Sequence, residues 1–166
     1  MDGAACAGGL WYFAYGSNLH DAIFRERRAI QARAVRRGWL DGFALRFNLP
    51  IGPGERGVAN VEPAAGERVW GAVYLLSAPD CARLDRSEGV HVGAYRRLEV
   101  EVRHEDGTRC AAFTYTSTAT KPDRKPSARY LRLLVEGARQ HGLPDEYVRW
   151  LERFDLAHDE RDPPPR

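Results

Sequence analysis

Leu10-Trp11-Tyr12-Phe13-Ala14-Tyr15-Gly16-Ser17-Asn18-Leu19 is the stretch on which the reading of this chain turns. Six apolar and aromatic residues run straight into a glycine, a serine and an asparagine. That order predicts a buried strand, Leu10 to Tyr15, ending in a tight loop. From Leu19 to Ile30 the apolar spacing changes. Leu19, Ile23 and Arg27 would share one face of a helix, with Ala22 and Phe24 adjoining it. The opening unit therefore reads as strand, Gly-Ser-Asn loop, helix.

Working outward, Phe43–Phe47, Gly57–Val61 and Val69–Leu76 read as strands, with Ile51-Gly52-Pro53-Gly54 as loop chemistry between the first two. Ser77 is an expected N-cap for a helix from Ala78 to about Arg86, and Ser87–Gly93 is an expected loop. Tyr95–Arg103 alternates, with Leu98, Val100 and Val102 on one side. Asp106-Gly107 signals a hairpin, and Cys110–Thr116 returns as its second strand. Lys121–Pro126 reads as a connection. Ser127–His141 is an amphipathic pattern with Tyr130, Leu133, Leu134, Gly137, Ala138 and His141 on one face, closed by Gly142 at C′. Pro144 opens a last helix that turns Tyr147, Trp150, Leu151 and Phe154 inward. Short strands with helices inserted, and no regular βαβ alternation, place the chain in the α+β class. The 166 residues fit one domain at 10–157, with a lead-in at 1–9 and a tail at 158–166.

Composition narrows the function classes. A formal charge of +2, from 25 basic and 23 acidic side chains, is no nucleic-acid footprint. Arg25, Arg27, Arg28, Arg33, Arg36 and Arg37 cluster; a solvated helix face and an exposed strand account for them, with an anion-binding patch as the alternative. Three cysteines, Cys6, Cys81 and Cys110, without a CxxC pair argue against a disulfide framework or a zinc site, and suit a reducing cytoplasm. No apolar run approaches the roughly 20 residues of a membrane span, and residues 1–9 lack the basic start of a signal peptide. His104-Glu105-Asp106 resembles a metal cluster but falls at a hairpin turn, where polar residues are expected. Trp39, Trp70 and Trp150 are expected in the core.

Two places could carry chemistry. The turn at Tyr15, Gly16, Ser17, Asn18 and Leu19 would present backbone N–H groups at a helix start, suited to an anion such as a carboxylate. From the residues alone, plain N-caps at Ser17 and Asn18 are the favoured account, with the anion site as the alternative. The second place is Glu88, between a helix end and a glycine. The helix dipole disfavours its charge there, and burial would raise its pKa into the range of a general base. An exposed loop acid is the alternative.

Tyr12-Phe13-Ala14-Tyr15-Gly16-Ser17-Asn18-Leu19 resembles the signature of the γ-glutamylcyclotransferase family. Glu88-Gly89-Val90 with Gly93-Ala94-Tyr95 resembles that family's catalytic glutamate loop and downstream tyrosine. Val69-Trp70-Gly71, Pro126-Ser127 and Gly142-Leu143-Pro144-Asp145-Glu146-Tyr147 add landmarks in matching order, so that the likeness runs from about Leu10 to Trp150. The resemblance implies a small mixed β-barrel with helices packed around it. It implies an enzyme that needs no cofactor or metal and cyclises a γ-glutamyl group to 5-oxoproline, releasing an amino acid or amine. It implies Glu88 as catalytic acid/base and Tyr15, Gly16, Ser17, Asn18, Leu19, Tyr95 and Tyr115 as substrate-binding residues. The expected partner is a small γ-glutamyl compound, with no nucleic acid or membrane, on a monomer or homodimer. The alternatives are the same chemistry on a γ-glutamyl-protected biosynthetic intermediate or γ-glutamylamine, a non-catalytic γ-glutamyl-binding module, and a hydrolase in which Glu88 activates water. The Arg-rich first third and the Ile51–Arg56 loop depart from the animal enzymes, which bears on what leaves with the released amine.

Overall fold

The computed structural model describes residues 5–6 and 9–158. Six strands, β1 (Ala5–Cys6), β2 (Gly9–Ala14), β3 (Ala34–Pro50), β4 (Gly57–Leu76), β5 (Arg96–Arg103) and β6 (Arg109–Thr116), lie in the order β1-β2-β4-β3-β5-β6. A further pairing of β2 with β6, parallel at Tyr12 and Phe113, closes β2, β4, β3, β5 and β6 into a barrel. The other pairings between these six strands are antiparallel, which makes the barrel mixed as expected. Part of the expected lead-in is strand: Ala5–Cys6 pairs with Gly9–Leu10. The rest of the lead-in, and the tail beyond residue 158, lie outside the described residues.

The three expected middle strands are pieces of two long ones. β3 and β4 form one antiparallel ribbon of 17 and 20 residues, joined at 51–56. Register shifts between Asp41 and Phe43 and between Arg46 and Leu49 let the ribbon bend around the barrel. Gly42 sits at the first shift with φ +77, a conformation that costs glycine nothing.

β2 buries both faces. Phe13 packs with Leu40, Val61, Val73 and Val102, in the cluster that α2 (Ala128–Gln140) and α3 (Asp145–Glu152) cover. Tyr12 and Ala14 pack with Phe24, Tyr74, Phe113 and Tyr115, in the cluster that α1 (Ala78–Ser87) covers through Cys81 and Leu84. A strand buried on both faces reads as a continuous apolar run, as Leu10 to Tyr15 does.

The helix ends follow the sequence closely. Ser77 Oγ accepts from Asp80 N at 3.3 Å and Ser127 Oγ from Tyr130 N at 3.2 Å, caps of about 1 kcal/mol each. Gly142, at φ +63, ends α2, with Leu143 N donating to Ala138 O and Gly142 N to Arg139 O. The inward face of α2 is rotated from expectation. Leu131 and Val135 are buried beside Leu134, Gly137 and Ala138, whereas Tyr130, Leu133 and His141 lie at its edge. The expected helix from Leu19 to Ile30 is absent. A 3₁₀ turn (Ser17–Leu19) and a single wide π-helical turn (Ala22–Arg27) replace it, and still bury Leu19, Ile23, Phe24 and Ile30. Trp39, Trp70 and Trp150 are half-buried rather than core; Trp39 packs against Trp70 at 4.8 Å with Arg68 over its ring.

Candidate active site

Glu88 is the C-cap of α1, its N–H donating to Leu84 O at 2.9 Å. Gly89 then turns the chain at φ +70, where a side chain would be strained and its Cβ would lie 2.9 Å from Ala94 Cβ. The Glu88 side chain is therefore directed inward and is only 13% exposed. It meets the turn that follows β2: Asn18 Nδ2 donates to Glu88 Oε1 at 3.0 Å and to the Tyr12 hydroxyl at 2.9 Å. On its other side Asn18 Oδ1 accepts from Arg28 Nε at 2.5 Å, and Arg28 Nη2 lies 3.6 Å from Glu88 Oε1.

Burial raises the Glu88 pKa above its ordinary value, and the Arg28 charge and the Asn18 hydrogen bond pull the other way without cancelling it. The carboxylate is thus both paired and destabilised, a combination found where a group must exchange protons near neutral pH.

Tyr12, Tyr15, Gly16, Ser17, Asn18, Ala59, Glu88, Tyr95, Tyr115 and Tyr130 line one cavity. Every expected site residue is present except Leu19, which is fully buried in the core instead. Its N–H closes onto Gly16 O at 3.0 Å, so that amide is not open to a ligand. The plain-cap reading of Ser17 and Asn18 fails as well, since the turn has no side-chain cap and Asn18 spends its amide on Glu88, Tyr12 and Arg28. Gly16 has an ordinary negative φ of −111; a Cβ there would lie 3.2 Å from the Tyr130 hydroxyl and 3.4 Å from Ala59 Cβ, on the cavity floor.

The tyrosines divide into two groups. Tyr15 donates to Tyr115 O at 2.6 Å, Tyr95 to Ala59 O at 3.2 Å, and Tyr115 to Asp85 Oδ1 at 2.5 Å. These hydroxyls are committed to the protein, and Tyr95 does not donate to Glu88. Tyr12 instead accepts from Asn18, and Tyr130 from Ala59 N at 3.0 Å. A phenol that accepts an N–H keeps its own O–H to donate. Burial, aided by the Glu88 charge, raises the pKa of both, so both stay protonated.

Tyr12, Tyr130 and Arg28 were not singled out from the sequence as site residues. Tyr12 reads as strand, Tyr130 as a helix face and Arg28 as a solvated cation. Tyr12 alone carried a signal, its place beside Asn18 in the signature stretch. The other arginines match expectation better: Arg36 pairs with Asp106 at 3.2 Å and Arg37 with Glu105 at 2.5 Å. Those pairs engage two members of the apparent metal cluster, and His104 Nδ1 lies 2.9 Å from Arg37 O.

Residues 68–151 match the model of the AIG2-like family. A γ-glutamylcyclotransferase of Bos taurus is 32% identical over 151 residues, covering 87% of this chain and 78% of that protein. The chain belongs to the γ-glutamylcyclotransferase family. A solved structure of a γ-glutamyl cyclotransferase superposes with a TM-score of 0.82 at 28% identity, covering 93% of this chain and 92% of that one. The γ-glutamyl cyclotransferase gliK of Aspergillus fumigatus is 33% identical over 160 residues, covering 81% of this chain and 58% of its own. In this chain the matched segment 68–151 carries Glu88, Tyr95, Tyr115 and Tyr130. The Tyr12–Asn18 side of the cavity precedes that segment and is brought to it by the pairing of β2 with β4 and β6.

Proposed function

We propose that Glu88 relays protons in the cyclisation of a γ-glutamyl group to 5-oxoproline, within the cavity formed by the β2 turn and the end of α1. The observation that carries this reading is the buried Glu88 carboxylate held against Asn18 in a tyrosine-lined cavity. The α-amine of the substrate attacks its own side-chain carbonyl, a C–N bond closes a five-membered ring, and the C–N bond to the leaving amine breaks. The ammonium nitrogen ends as a lactam N–H, and the leaving nitrogen ends as an ammonium. No net proton is released, and no water is consumed.

An α-ammonium has a pKa of about 8 and a glutamate about 4.3, so the first proton transfer is uphill by roughly 5 kcal/mol in water. Raising the Glu88 pKa narrows that gap. Both nitrogens bond the same carbon in the tetrahedral intermediate, so one carboxylate reaches both. Tyr12 and Tyr130 supply hydroxyl donors for the oxyanion, and the backbone N–H groups of Gly16, Ser17 and Asn18, rather than the committed Asn18 side chain, hold the α-carboxylate. Tyr15, Tyr95 and Tyr115 form the walls that keep the chain in a ring-ready shape, an effect that in model systems reaches effective molarities of about 10⁵ M. Three cysteines without a CxxC pair suit a reducing compartment.

The test is to incubate the protein with γ-glutamyl-alanine and quantify 5-oxoproline, alanine and glutamate. Equimolar 5-oxoproline and alanine is the expected result. Free glutamate in place of 5-oxoproline would mean that water, not the α-amine, attacks.

A further inference from the structure

Behind the turn that carries Asn18 lie two polar side chains that the proton relay does not use. Tyr74, on β4, is fully buried and stacks on Phe24 at 4.2 Å. His141 is the C-cap of α2, with its ring edge-on to Tyr74. The Tyr74 hydroxyl donates to Asn18 O at 3.3 Å. His141 Nε2 lies 2.7 Å from that hydroxyl and 3.0 Å from Leu19 O. The pair thus meets two successive carbonyls of the turn, while neither residue lines the Glu88 cavity.

One arrangement of hydrogens satisfies all of these contacts. A carbonyl oxygen only accepts, so the Leu19 contact places a hydrogen on His141 Nε2. The Tyr74 oxygen shares that N–H, which leaves its own O–H for Asn18 O. Burial lowers the His141 pKa, against the Leu19 hydrogen bond and with Asp21 and Arg25 acting in opposite senses. Protonation of the ring would add a hydrogen at Nδ1 and leave the Nε2 contacts as they are. A short 3₁₀ turn leaves its last carbonyls without partners inside the turn; here a core hydroxyl and an imidazole serve them. Peptide units are planar, so holding both oxygens fixes two consecutive planes next to the Asn18 Cα. From that Cα the side chain reaches Glu88 and Tyr12.

Resting on the reading of the Glu88 site given above, we propose that Tyr74 and His141 are positioning residues for the cyclisation, which pin the Asn18 and Leu19 carbonyls and so hold the Asn18 amide against Glu88. They come from β4 and from the end of α2, so the turn is fixed to the barrel and to the helix at once. Through the same backbone they set the direction of the N–H groups offered to the substrate carboxylate.

The experiment follows kcat/KM for 5-oxoproline release from γ-glutamyl-alanine against pH in wild type, Tyr74→Phe, His141→Leu and His141→Gln, each assayed well below its own Tm. Tyr74→Phe and His141→Leu should each lose about tenfold, less than the roughly 10²-fold that a 1 Å misplacement can cost, because the turn is loosened rather than removed. Their acid limbs should move to higher pH, because the Asn18 hydrogen bond lowers the Glu88 pKa and is weakened in them. The groups that face Glu88, namely Arg28 and the hydroxyls of Tyr12, Tyr15, Tyr95, Tyr115 and Tyr130, are unaltered in all three variants. His141→Gln, whose amide N–H can stand in for Nε2–H, should recover most of the loss. If Tyr74→Phe fails to fold, the two His141 variants carry the test, since that side chain is only half-buried at the edge of α2. Wild-type kcat/KM in the folded variants would overturn the proposal. A fall in activity with the acid limb in place would also overturn it, leaving a stabilising role alone. A glutamine variant as impaired as the leucine one would overturn the part given to the hydrogen bond. No 5-oxoproline from wild type would overturn the reading of the catalytic site, and this inference with it.

Discussion

Glu88→Gln should fold, bind γ-glutamyl-alanine and lose about 10³-fold or more of its 5-oxoproline turnover, in line with the removal of a general acid/base. Glutamine keeps the shape of the side chain and can still accept the Asn18 Nδ2 hydrogen bond seen at 3.0 Å. What it cannot do is take a proton from an ammonium. The same variant carries a stability signature. Burial raises the Glu88 pKa, so the folded state pays to ionise this group. That penalty is absent below the ordinary value of 4.5 and grows as the pH rises through the folded-state value. The glutamine variant should therefore have the higher Tm at pH 8, and the difference should vanish as the pH falls toward 4.5. Thermal melts at several pH values check this alongside the kinetics. An inactive variant that is less stable than wild type at pH 8 would point to a structural acid.

Gly137→Val should lower the Tm by about 6–12 °C, a loss of about 3 kcal/mol, and raise KM in whatever protein remains folded. A Cβ at Gly137 would lie 2.7 Å from both the Leu19 carbonyl carbon and Leu19 Cβ, and 2.8 Å from His20 N. Backbone cannot swing aside as a side-chain tip can, so α2 and the turn after β2 must separate. Asn18 sits in that turn, and with it the hydrogen bonds to Glu88 and Tyr12. Gly137→Ala offers a sharper contrast. Helix propensity alone would make alanine stabilising by about 1 kcal/mol, whereas the contacts make it destabilising. The sign of the Tm change decides between them.

These two residues also show what the sequence disclosed. Glu88 was visible because a glutamate between a helix end and a glycine is an uncommon place for a charge, and the Tyr12–Leu19 stretch because a strand buried on both faces is continuously apolar. The α+β class and the cap at Ser77 were legible through local patterns. The long β3–β4 ribbon was not. Gly42, Pro63 and Gly66 interrupt its period-two alternation, and the register shifts that bend it read as strand ends. The segment 19–30 carries helical spacing, yet its apolar residues are held by the barrel rather than by a regular helix. Arg28 and Tyr130 were hidden for a different reason. Arg28 reaches Glu88 across 60 residues of chain, and Tyr130 reaches Ala59 across 71. Such contacts exist only once the barrel has closed.

The measurement that bears most directly on proton relay by Glu88 is the pH dependence of kcat/KM for 5-oxoproline release, in wild type and in Arg28→Met. The acid limb should inflect above the ordinary glutamate value of 4.5, because burial raises the pKa. It should move higher still in the variant, because the Arg28 charge, 3.6 Å away, is the strongest influence opposing that rise. An acid limb at the ordinary carboxylate value, or one that stays in place when Arg28 is removed, would contradict the assignment.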